Sequence, residues 1–420
     1  MNLTKKQIEV IRYSNNYKPL ILILCGAVRS GKTFVNNLLF ARHVMDFKRK
    51  DFIITGHTIS SIERNIIEPL RQLYPSEKLY LNNRNNFELF GNKIHCFGAD
   101  KSDSYQAMTG MTSYGWYANE MTLQNTNTIN EAFNRCSGKG YRIFGDTNPD
   151  HPEHYVKINF VDKSGETLEN GRVRIKSFHF ILDDNEYLDK GYVENLKAST
   201  PQGMWYNRRI LGHWVAAEGV IYENFNKDIH VIEPFKIPDD WRRIRAIDFG
   251  YKNPFACGWF AIDNDGRVYM YKDYKKTETL IVDHAKKINS FVELDEHDNK
   301  INYDVTVADH DAQERAEYEQ HDVYTRAARK DVILGIQKVA ERLVVQPDGK
   351  PRLYFFSNCK DTIKEIQGYV WEPKKEGKPY KEAPLKVNDH CMDLLKYAIL
   401  EIDGDRIVDA SSWGAGDLGL

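Results

Sequence analysis

The stretch GAVRSGKT, residues 26–33, constrains the fold of this chain more than any other part of its sequence. It follows the apolar run LILILC and precedes TFVNNLLFARHVM, whose pattern predicts a helix. The phosphate-loop pattern GxxxxGK[ST] is met in full by Gly26, Gly31, Lys32 and Thr33. The glycines let backbone N–H groups converge on phosphate oxygens, Lys32 adds a point charge, and the Thr33 hydroxyl can ligate Mg²⁺. A strand, loop and helix that bind ATP are therefore predicted here.

The first half of the chain alternates short β-rich runs with longer amphipathic ones. The runs that read as strands are LILILC, DFIITG, KIHCFGA, YGWYANE, YRIFGDT and VRIKSFHF. Strands that alternate with helices are typical of a largely parallel sheet with helices on its faces. The first half is therefore predicted to be an α/β domain built around the phosphate loop.

Polar residues at the ends of two further strands are candidates for ATP chemistry. Glu120 in YGWYANEMT suits the residue that orients or deprotonates the attacking water, and Asn119 precedes it. In FGDTNPD, the polar residues that end the strand could sense the γ-phosphate; they are Asp146, Thr147 and Asn148. Arg29 could neutralise charge that develops on that phosphate. The alternatives are a helix cap at Glu120, a plain turn at Asn148 and a solvent-facing Arg29.

The second half opens with three consecutive β-like runs and then alternates helices with strands. The first three runs are RIRAIDFG, FACGWFAID and RVYMYKDY, with the turn signal Asn-Asp-Gly before the third. This order is typical of a mixed α/β domain. The predicted organisation is a nucleotide-binding domain at 1–185, a linker or subdomain at 186–238, a second domain at 239–405 and a flexible tail at 406–420.

Acidic residues of the second half stand where a metal-dependent reaction would place them. Asp248 lies in the first strand, Asp309 ends the run YDVTVAD, and Asp393 lies on the last helix. Such carboxylates can converge on two Mg²⁺ or Mn²⁺ ions and hydrolyse a phosphodiester. Asp389, His390 and Asp393 share one helix face through their spacing. Read singly, each acid is equally compatible with a turn.

Composition gives no indication of a partner, but it argues against a disulfide-rich or membrane-spanning protein. Lys and Arg total 58 against 60 Asp and Glu, so net charge alone indicates no nucleic-acid or membrane partner. The six cysteines form no CxxC pair, which predicts reduced, mostly buried thiols. No signal peptide or apolar run long enough to span a membrane is recognisable. A soluble intracellular protein is expected.

These motifs together resemble one family, the large terminase subunit of tailed bacteriophages, over nearly the whole chain. LTKKQ resembles the family's adenine-recognition segment, which gives Gln7 a contact with the base. GAVRSGKT resembles its Walker A loop, YGWYANEMT its Walker B strand and GDTNP its coupling motif. Asn119 departs from the usual Asp of the Walker B strand. The resemblance implies an ASCE/RecA-like ATPase whose ATP site comprises Gln7, Gly26, Arg29, Ser30, Gly31, Lys32, Thr33, Asn119, Glu120 and Asn148.

The second half resembles the RNase H-like nuclease domain of the same family. AIDFGYKNP, VADHD and DHCMDLLKY are similar to its three metal-ligand segments. The implied ligands are Asp248, Asp309 and Asp393, with His390, Asp311 and Asp389 as further candidates. The segment ILGHWVAAEGVIYENF resembles the junction between motor and nuclease.

The resemblance implies a DNA-packaging machine in the host cytoplasm, transiently at the procapsid portal. Its implied partners are double-stranded DNA, the small terminase subunit and the portal protein, with self-association into a ring that is expected to be pentameric. The implied cofactors are ATP with Mg²⁺ at the motor and two Mg²⁺ or Mn²⁺ at the nuclease. A lysine-rich loop at 373–386 could guide DNA through Lys374, Lys375, Lys378, Lys381 and Lys386.

Three other interpretations fit the same residues. The first is a helicase-type nucleic-acid ATPase whose C-terminal domain binds without cutting. The second is a recombinase or transposase-like nuclease with an accessory ATPase. The third is a structural ATP switch in which the acids of the second half form turns.

Overall fold

The computed structural model describes residues 2–101, 103–373 and 382–411. The chain divides into two compact units, here called unit 1 and unit 2. Unit 1 comprises Met1–Lys197 and Gln202–Ala216, and unit 2 comprises Ala198–Pro201 and Ala217–Leu420. None of the helices in the described part of the chain has the length and apolar character of a membrane span.

Unit 1 is built on a seven-stranded sheet with helices on its faces. Its strands are β1 (Ile21–Gly26), β2 (Asp51–Gly56), β3 (Asn86–Leu89), β4 (Asn92–Gly98), β5 (Gly115–Ala118), β6 (Arg142–Thr147) and β7 (Ile175–Phe180). The helices in this part of the chain are α1 (Lys5–Tyr17), α2 (Lys32–Met45), α3 (Ile59–Ile62), α4 (Glu68–Leu73), α5 (Thr126–Arg135), α6 (Lys190–Ser199) and α7 (Met204–Arg209). A π-helical turn, Glu63–Ile67, joins α3 to α4.

The strand order in this sheet is β3-β4-β2-β5-β6-β1-β7. All ladders are parallel except β3 with β4, an antiparallel pair that the sequence did not predict. All six residues of β1 are buried because helices cover both faces of the sheet. Leu22 and Leu24 enter one core and Ile21 and Ile23 the other, as the two-residue period of a strand requires. β6 lies between β1 and β5, so the ends of these three strands meet.

Unit 2 contains a second seven-stranded sheet. Its strands are β8 (Val231–Ile232), β9 (Arg242–Asp248), β10 (Phe255–Ile262), β11 (Val268–Lys276), β12 (Val305–Ala308), β13 (Arg326–Ala327) and β14 (Leu353–Phe356). Its helices are α8 (Lys227–His230), α9 (Ile281–Asn289), α10 (Ala312–Glu319), α11 (Val332–Leu343), α12 (Lys360–Gly368) and α13 (His390–Ser411). The order is β13-β12-β9-β10-β11-β14-β8.

The register of the second sheet aligns two of the predicted acids. The strands β9, β10 and β11 pair antiparallel in sequence order, and β12 runs parallel to β9 on its other side. Ala308 pairs with Ile247, so the next residues, Asp309 and Asp248, leave the sheet at the same edge. α13 packs on β9, β10 and β12. The strand edge and this helix together form the candidate metal centre.

Several predicted elements differ from the structure. The helix expected from Thr277 to about Leu294 is limited to Ile281–Asn289. The last helix extends to Ser411, so residues 406–411, which the sequence assigned to a flexible tail, are helical. Residues 412–420 lie outside the described part of the chain. All six cysteines are buried and free, as expected.

Candidate functional site

The phosphate loop begins where β1 ends, and close packing requires glycine there. A Cβ on Gly26, whose φ is +145°, would lie 1.9 Å from the carbonyl oxygen of Phe180. The next amide, that of Ala27, donates to the same oxygen at 2.8 Å. Gly31, at φ +87°, caps the start of α2. The loop therefore leads into a helix N-terminus, where free backbone N–H groups can bind an anion.

Lys32 lies at the floor of a cavity of about 620 Å³. Its ammonium is buried and donates to the carbonyl oxygens of Gly26 at 3.0 Å and Ala27 at 2.5 Å, and to Asn148 Oδ1 at 3.2 Å. Burial lowers the pKa of Lys32 to about 8, against the opposing charge of Asp146. Of the predicted ATP-site residues, the cavity is lined by Arg29, Ser30, Gly31, Lys32, Thr33, Glu120 and Asn148.

Glu120 faces the same cavity from the end of β5. Its backbone is left-handed, with φ 53° and ψ 54°, a conformation that costs free energy in a non-glycine residue and is concentrated at functional sites. Burial raises the pKa of Glu120, and the nearby carboxylate of Asp146 raises it further. A carboxylate with a raised pKa is a better proton acceptor near neutral pH, as a general base requires.

Asp146 is the centre of a buried hydrogen-bond network at the ends of β5 and β6. Its Oδ1 accepts from Asn119 Nδ2 at 2.9 Å and from the Glu120 amide at 3.0 Å. Its Oδ2 accepts from the Tyr117 hydroxyl at 2.7 Å. Asn65, on the π-helical turn, donates to Asn119 Oδ1 at 3.0 Å. Asn119 is thus enclosed between two side chains, behind Asp146, which lines the cavity.

Gln7 supports the phosphate loop from outside the cavity. Its Nε2 donates to the Gly31 carbonyl oxygen at 3.0 Å, and its Oε1 accepts from the Thr4 amide at 3.0 Å. Gln7 is not one of the described residues that line the cavity. The contact with adenine remains a prediction, and the structure assigns Gln7 to the loop backbone.

In unit 2, Asp248 is joined to the last helix through His390. The Nδ1 atom of His390 lies 2.8 Å from Asp248 Oδ2. Burial raises the pKa of Asp248 to about 6 against this hydrogen bond, and the charges of Asp393 and Asp309 raise it further. The hydrogen bond to Asp248 raises the pKa of His390. Three predicted acids are therefore close enough to act on one another.

Lysines neutralise two of these acids. Asp393 pairs with the buried Lys396 at 2.5 Å and with Lys386 at 3.1 Å, while Asp309 pairs with Lys330. Burial alone would raise the pKa of Asp393, but the ammonium groups of Lys396 and Lys386 hold it below its ordinary value. Asp309 and Asp393 line one cavity of about 190 Å³. This cavity combines carboxylate oxygens with a fixed positive charge.

The remaining candidate ligands have other contacts. Asp311 caps α10 by accepting from the amides of Gln313 and Glu314, both at 2.9 Å. Asp389, directly before α13, pairs with Lys386 at 3.1 Å. The carboxylate donors have the chemistry that Mg²⁺ and Mn²⁺ prefer. As the described side chains are arranged, however, no three of the His, Cys, Asp or Glu groups converge on one metal position.

Comparisons with known proteins identify the family. Residues 23–228 match the family described as "Terminase large subunit, T4likevirus-type, N-terminal". The large terminase of a thermophilic bacteriophage superimposes with a TM-score of 0.80 at 27% identity, covering 96% of this chain and 99% of that one. The chain belongs to the large terminase family. The predicted fold class, a P-loop ATPase domain joined to an RNase H-like nuclease domain, is confirmed.

Two further structures of that thermophilic phage's large terminase contain nucleotides. Its complex with ADP gives a TM-score of 0.78 at 28% identity and covers 95% of this chain and 99% of that one. Its complex with ATP-γ-S gives a TM-score of 0.78 at 27% identity with the same coverage. No curated protein sequence matches this member of the large terminase family.

Sequence reasoning missed several residues of both sites. Asp146 was grouped with the γ-phosphate sensors, although its place at a strand end could have indicated a ligand role. The i,i+3 spacing of Asp393 and the buried Lys396 on one helix could have indicated their ion pair. Nothing in the sequence indicated Glu365, whose Oε2 accepts from the Cys391 amide at 2.7 Å in the first turn of α13, because these two residues are distant in the chain.

Proposed function

We propose that this chain is the motor and nuclease of a phage DNA-packaging machine. Hydrolysis of ATP would drive double-stranded DNA into the procapsid, and a metal-dependent endonuclease would cut the concatemer. One observation carries the motor assignment: the buried ammonium of Lys32 shares a cavity with Glu120 and Asn148 at the ends of three neighbouring strands. The ADP and ATP-γ-S complexes of the thermophilic phage's large terminase support nucleotide binding at this cavity.

The residues of the motor site have separable roles. Lys32 and the backbone N–H groups of the loop bind the phosphates, and the Thr33 hydroxyl can ligate Mg²⁺, which would neutralise phosphate charge. Glu120 accepts a proton from the attacking water or orients it. Lys32 donates to Asn148 Oδ1 in the structure. A phosphate that draws Lys32 away would break this hydrogen bond and so change the contacts at the end of β6. Arg29 lines the cavity and can offset developing charge.

The nuclease assignment rests on the acids of unit 2. Asp248, Asp309 and Asp393 would hold two Mg²⁺ or Mn²⁺ ions, which would supply charge for the attacking water and the leaving 3′ oxygen. His390 orients Asp248 through their hydrogen bond. The lysines paired with Asp309 and Asp393 compete with a metal for the same oxygens. Metal binding therefore requires these ion pairs to open.

The same proposal includes the location of the protein in the cell and its binding partners. The chain would act in the host cytoplasm and at the portal, with the small terminase subunit, the portal protein and further copies of itself in a ring. The lysine-rich loop would contact DNA phosphates without reading sequence. Lys374, Lys375, Lys378 and Lys381 lie outside the described residues, whereas Lys386 is described and pairs with Asp389 and Asp393.

Two variants of the full chain test both halves of the proposal. Lys32→Ala should abolish ATP hydrolysis and leave Mn²⁺-dependent plasmid cleavage intact, because the two sites lie in different compact units. Asp248→Ala should do the reverse. Phosphate release and plasmid nicking measure the two activities. Equal cleavage by wild type and Asp248→Ala would contradict the nuclease assignment and favour a helicase-type ATPase that does not cut.

A further inference from the structure

The Walker B strand of this chain lacks the carboxylate that normally assists magnesium binding. In P-loop ATPases an Asp at this position holds Mg²⁺ together with the hydroxyl of the loop Ser or Thr. Here the position is Asn119, whose amide is neutral. Its side chain is fully buried, and Asn119 is not among the described residues that line the cavity. Its Nδ2 donates to Asp146 and its Oδ1 accepts from Asn65, so the amide is held away from the nucleotide.

A carboxylate lies directly beside it, on the neighbouring strand. β6 pairs with β5 on one side and with β1 on the other, so Asp146 stands between the Walker B strand and the strand of the phosphate loop. Asp146 is buried and lines the nucleotide cavity. The Tyr117 hydroxyl that donates to it also lies 3.4 Å from the backbone oxygen of Thr33, the predicted magnesium ligand. The carboxylate is thus anchored close to the start of α2.

Burial raises the pKa of Asp146, and hydrogen bonds from its neighbours oppose that shift by stabilising the charged form. Three donors converge on its two oxygens: the Tyr117 hydroxyl, the Asn119 amide and the Glu120 backbone amide. Hydrogen bonds to a buried carboxylate stabilise its charge and fix its orientation. The hydroxyl of Thr33 and one carboxylate, completed by phosphates and waters, form the kind of donor set that Mg²⁺ takes in nucleotide sites.

We infer that Asp146 supplies the carboxylate that the Walker B strand lacks and holds the hydration shell of the nucleotide-bound Mg²⁺. Asn119 is then a positioning residue that orients Asp146. The inference rests on the proposed function, because it requires that the cavity binds a magnesium nucleotide. The carboxylate that assists magnesium binding then comes from the end of β6 rather than from β5.

Binding of a fluorescent ADP analogue to the full chain, with Mg²⁺ and with EDTA, tests the inference. Wild type should bind more tightly with Mg²⁺. Asp146→Asn should reduce this magnesium-dependent gain, taken as the ratio of the affinities of the same variant with Mg²⁺ and with EDTA, by about tenfold or more. Asn119→Ala should reduce the gain less, since two donors to Asp146 remain. The surface variant Asp162→Asn, which removes an exposed carboxylate, should behave as wild type.

The outcomes separate the inference from the proposed function. If wild type binds no nucleotide, both are overturned. If wild type gains from Mg²⁺ and Asp146→Asn gains equally, only the role of Asp146 is overturned. A crystal structure of wild type with Mg²⁺ and ADP decides the matter if Asp146→Asn does not fold. A metal-bound water on Asp146 supports the inference, and metal-bound waters on Asn119 instead overturn it.

Discussion

The Nδ1 atom of His390 lies 2.8 Å from Oδ2 of Asp248, and this contact ties the last helix to the first strand of the second sheet. Asp248 ends β9, and His390 is the first residue of α13. The distance between them in the sequence is large, so the contact exists only in the folded unit. It sets the orientation of a carboxylate that stands beside Asp309 at the sheet edge.

Replacing His390 should weaken cleavage without abolishing it. His390→Ala removes the partner that orients Asp248, so we expect cleavage to fall by about tenfold and the Mn²⁺ concentration for half-maximal cleavage to rise. His390→Gln, which can still donate a hydrogen bond, should restore part of the cleavage activity and lower the half-maximal Mn²⁺ concentration towards that of wild type. Plasmid nicking across a Mn²⁺ titration measures the effect. An unchanged Mn²⁺ requirement in His390→Ala would show that this contact does not position the metal site.

Removing Lys386 should ease metal binding at unit 2. Its ammonium lies 3.1 Å from Asp389 Oδ2 and 3.1 Å from Asp393 Oδ2, so it competes with a cation for both carboxylates. In Lys386→Ala the half-maximal Mn²⁺ concentration should fall by roughly two- to fivefold, the range of a partly exposed ion pair. Lys386→Arg, which keeps the charge, is the matched control. A loss of cleavage with weaker salt dependence would instead indicate that Lys386 contacts DNA.

Glu120→Gln should stop ATP turnover while nucleotide binding persists. The substitution keeps the size of the side chain but removes its ability to accept a proton, so we expect hydrolysis to fall by at least about a hundredfold. Phosphate release measures the turnover, and titration with fluorescent ADP measures binding. Glu88→Gln, an exposed change on β3, is the control. Turnover above one tenth of wild type would exclude Glu120 as the base.

His43 should make unit 1 less stable in mild acid. Burial lowers its pKa to about 4, and its Nε2 lies 2.9 Å from the Tyr114 carbonyl oxygen. The unfolded chain, with an ordinary pKa of about 6.5, takes up the proton first as the pH falls. The contribution of neutral His43 to the free energy of unfolding is therefore fully present above about pH 6.5 and declines between about pH 6.5 and 4. Between about pH 7 and pH 5 the loss should be about 2 kcal/mol.

Urea unfolding of wild type and His43→Gln at both pH values measures this contribution to the free energy of unfolding. Gln can donate to the Tyr114 carbonyl but does not titrate, so the variant should lose about 2 kcal/mol less than wild type on acidification. The control is His297→Gln, because the side chain of His297 is exposed. Equal losses in wild type and His43→Gln would contradict the prediction.

Much of the fold follows from local patterns. The run LILILC is buried at every position of its strand, and the residues from Lys32 form a helix that starts at Gly31. Short elements carried too few residues to show a period. The short strands β3, β8 and β13 were missed because neighbouring strands, rather than their own sequence, stabilise them, whereas the run KIHCFGA correctly predicted β4.

The sequence by itself determined the phosphate loop, since Gly26, Lys32 and Thr33 lie within one short segment and their chemistry is local. It also indicated the acids Asp248, Asp309 and Asp393, but not their surroundings. Only the tertiary structure decided that Asp146 stands beside Asn119 and that His390 stands beside Asp248. The physical reason is that sheet order and helix packing set these distances, and both depend on contacts between residues far apart in the chain.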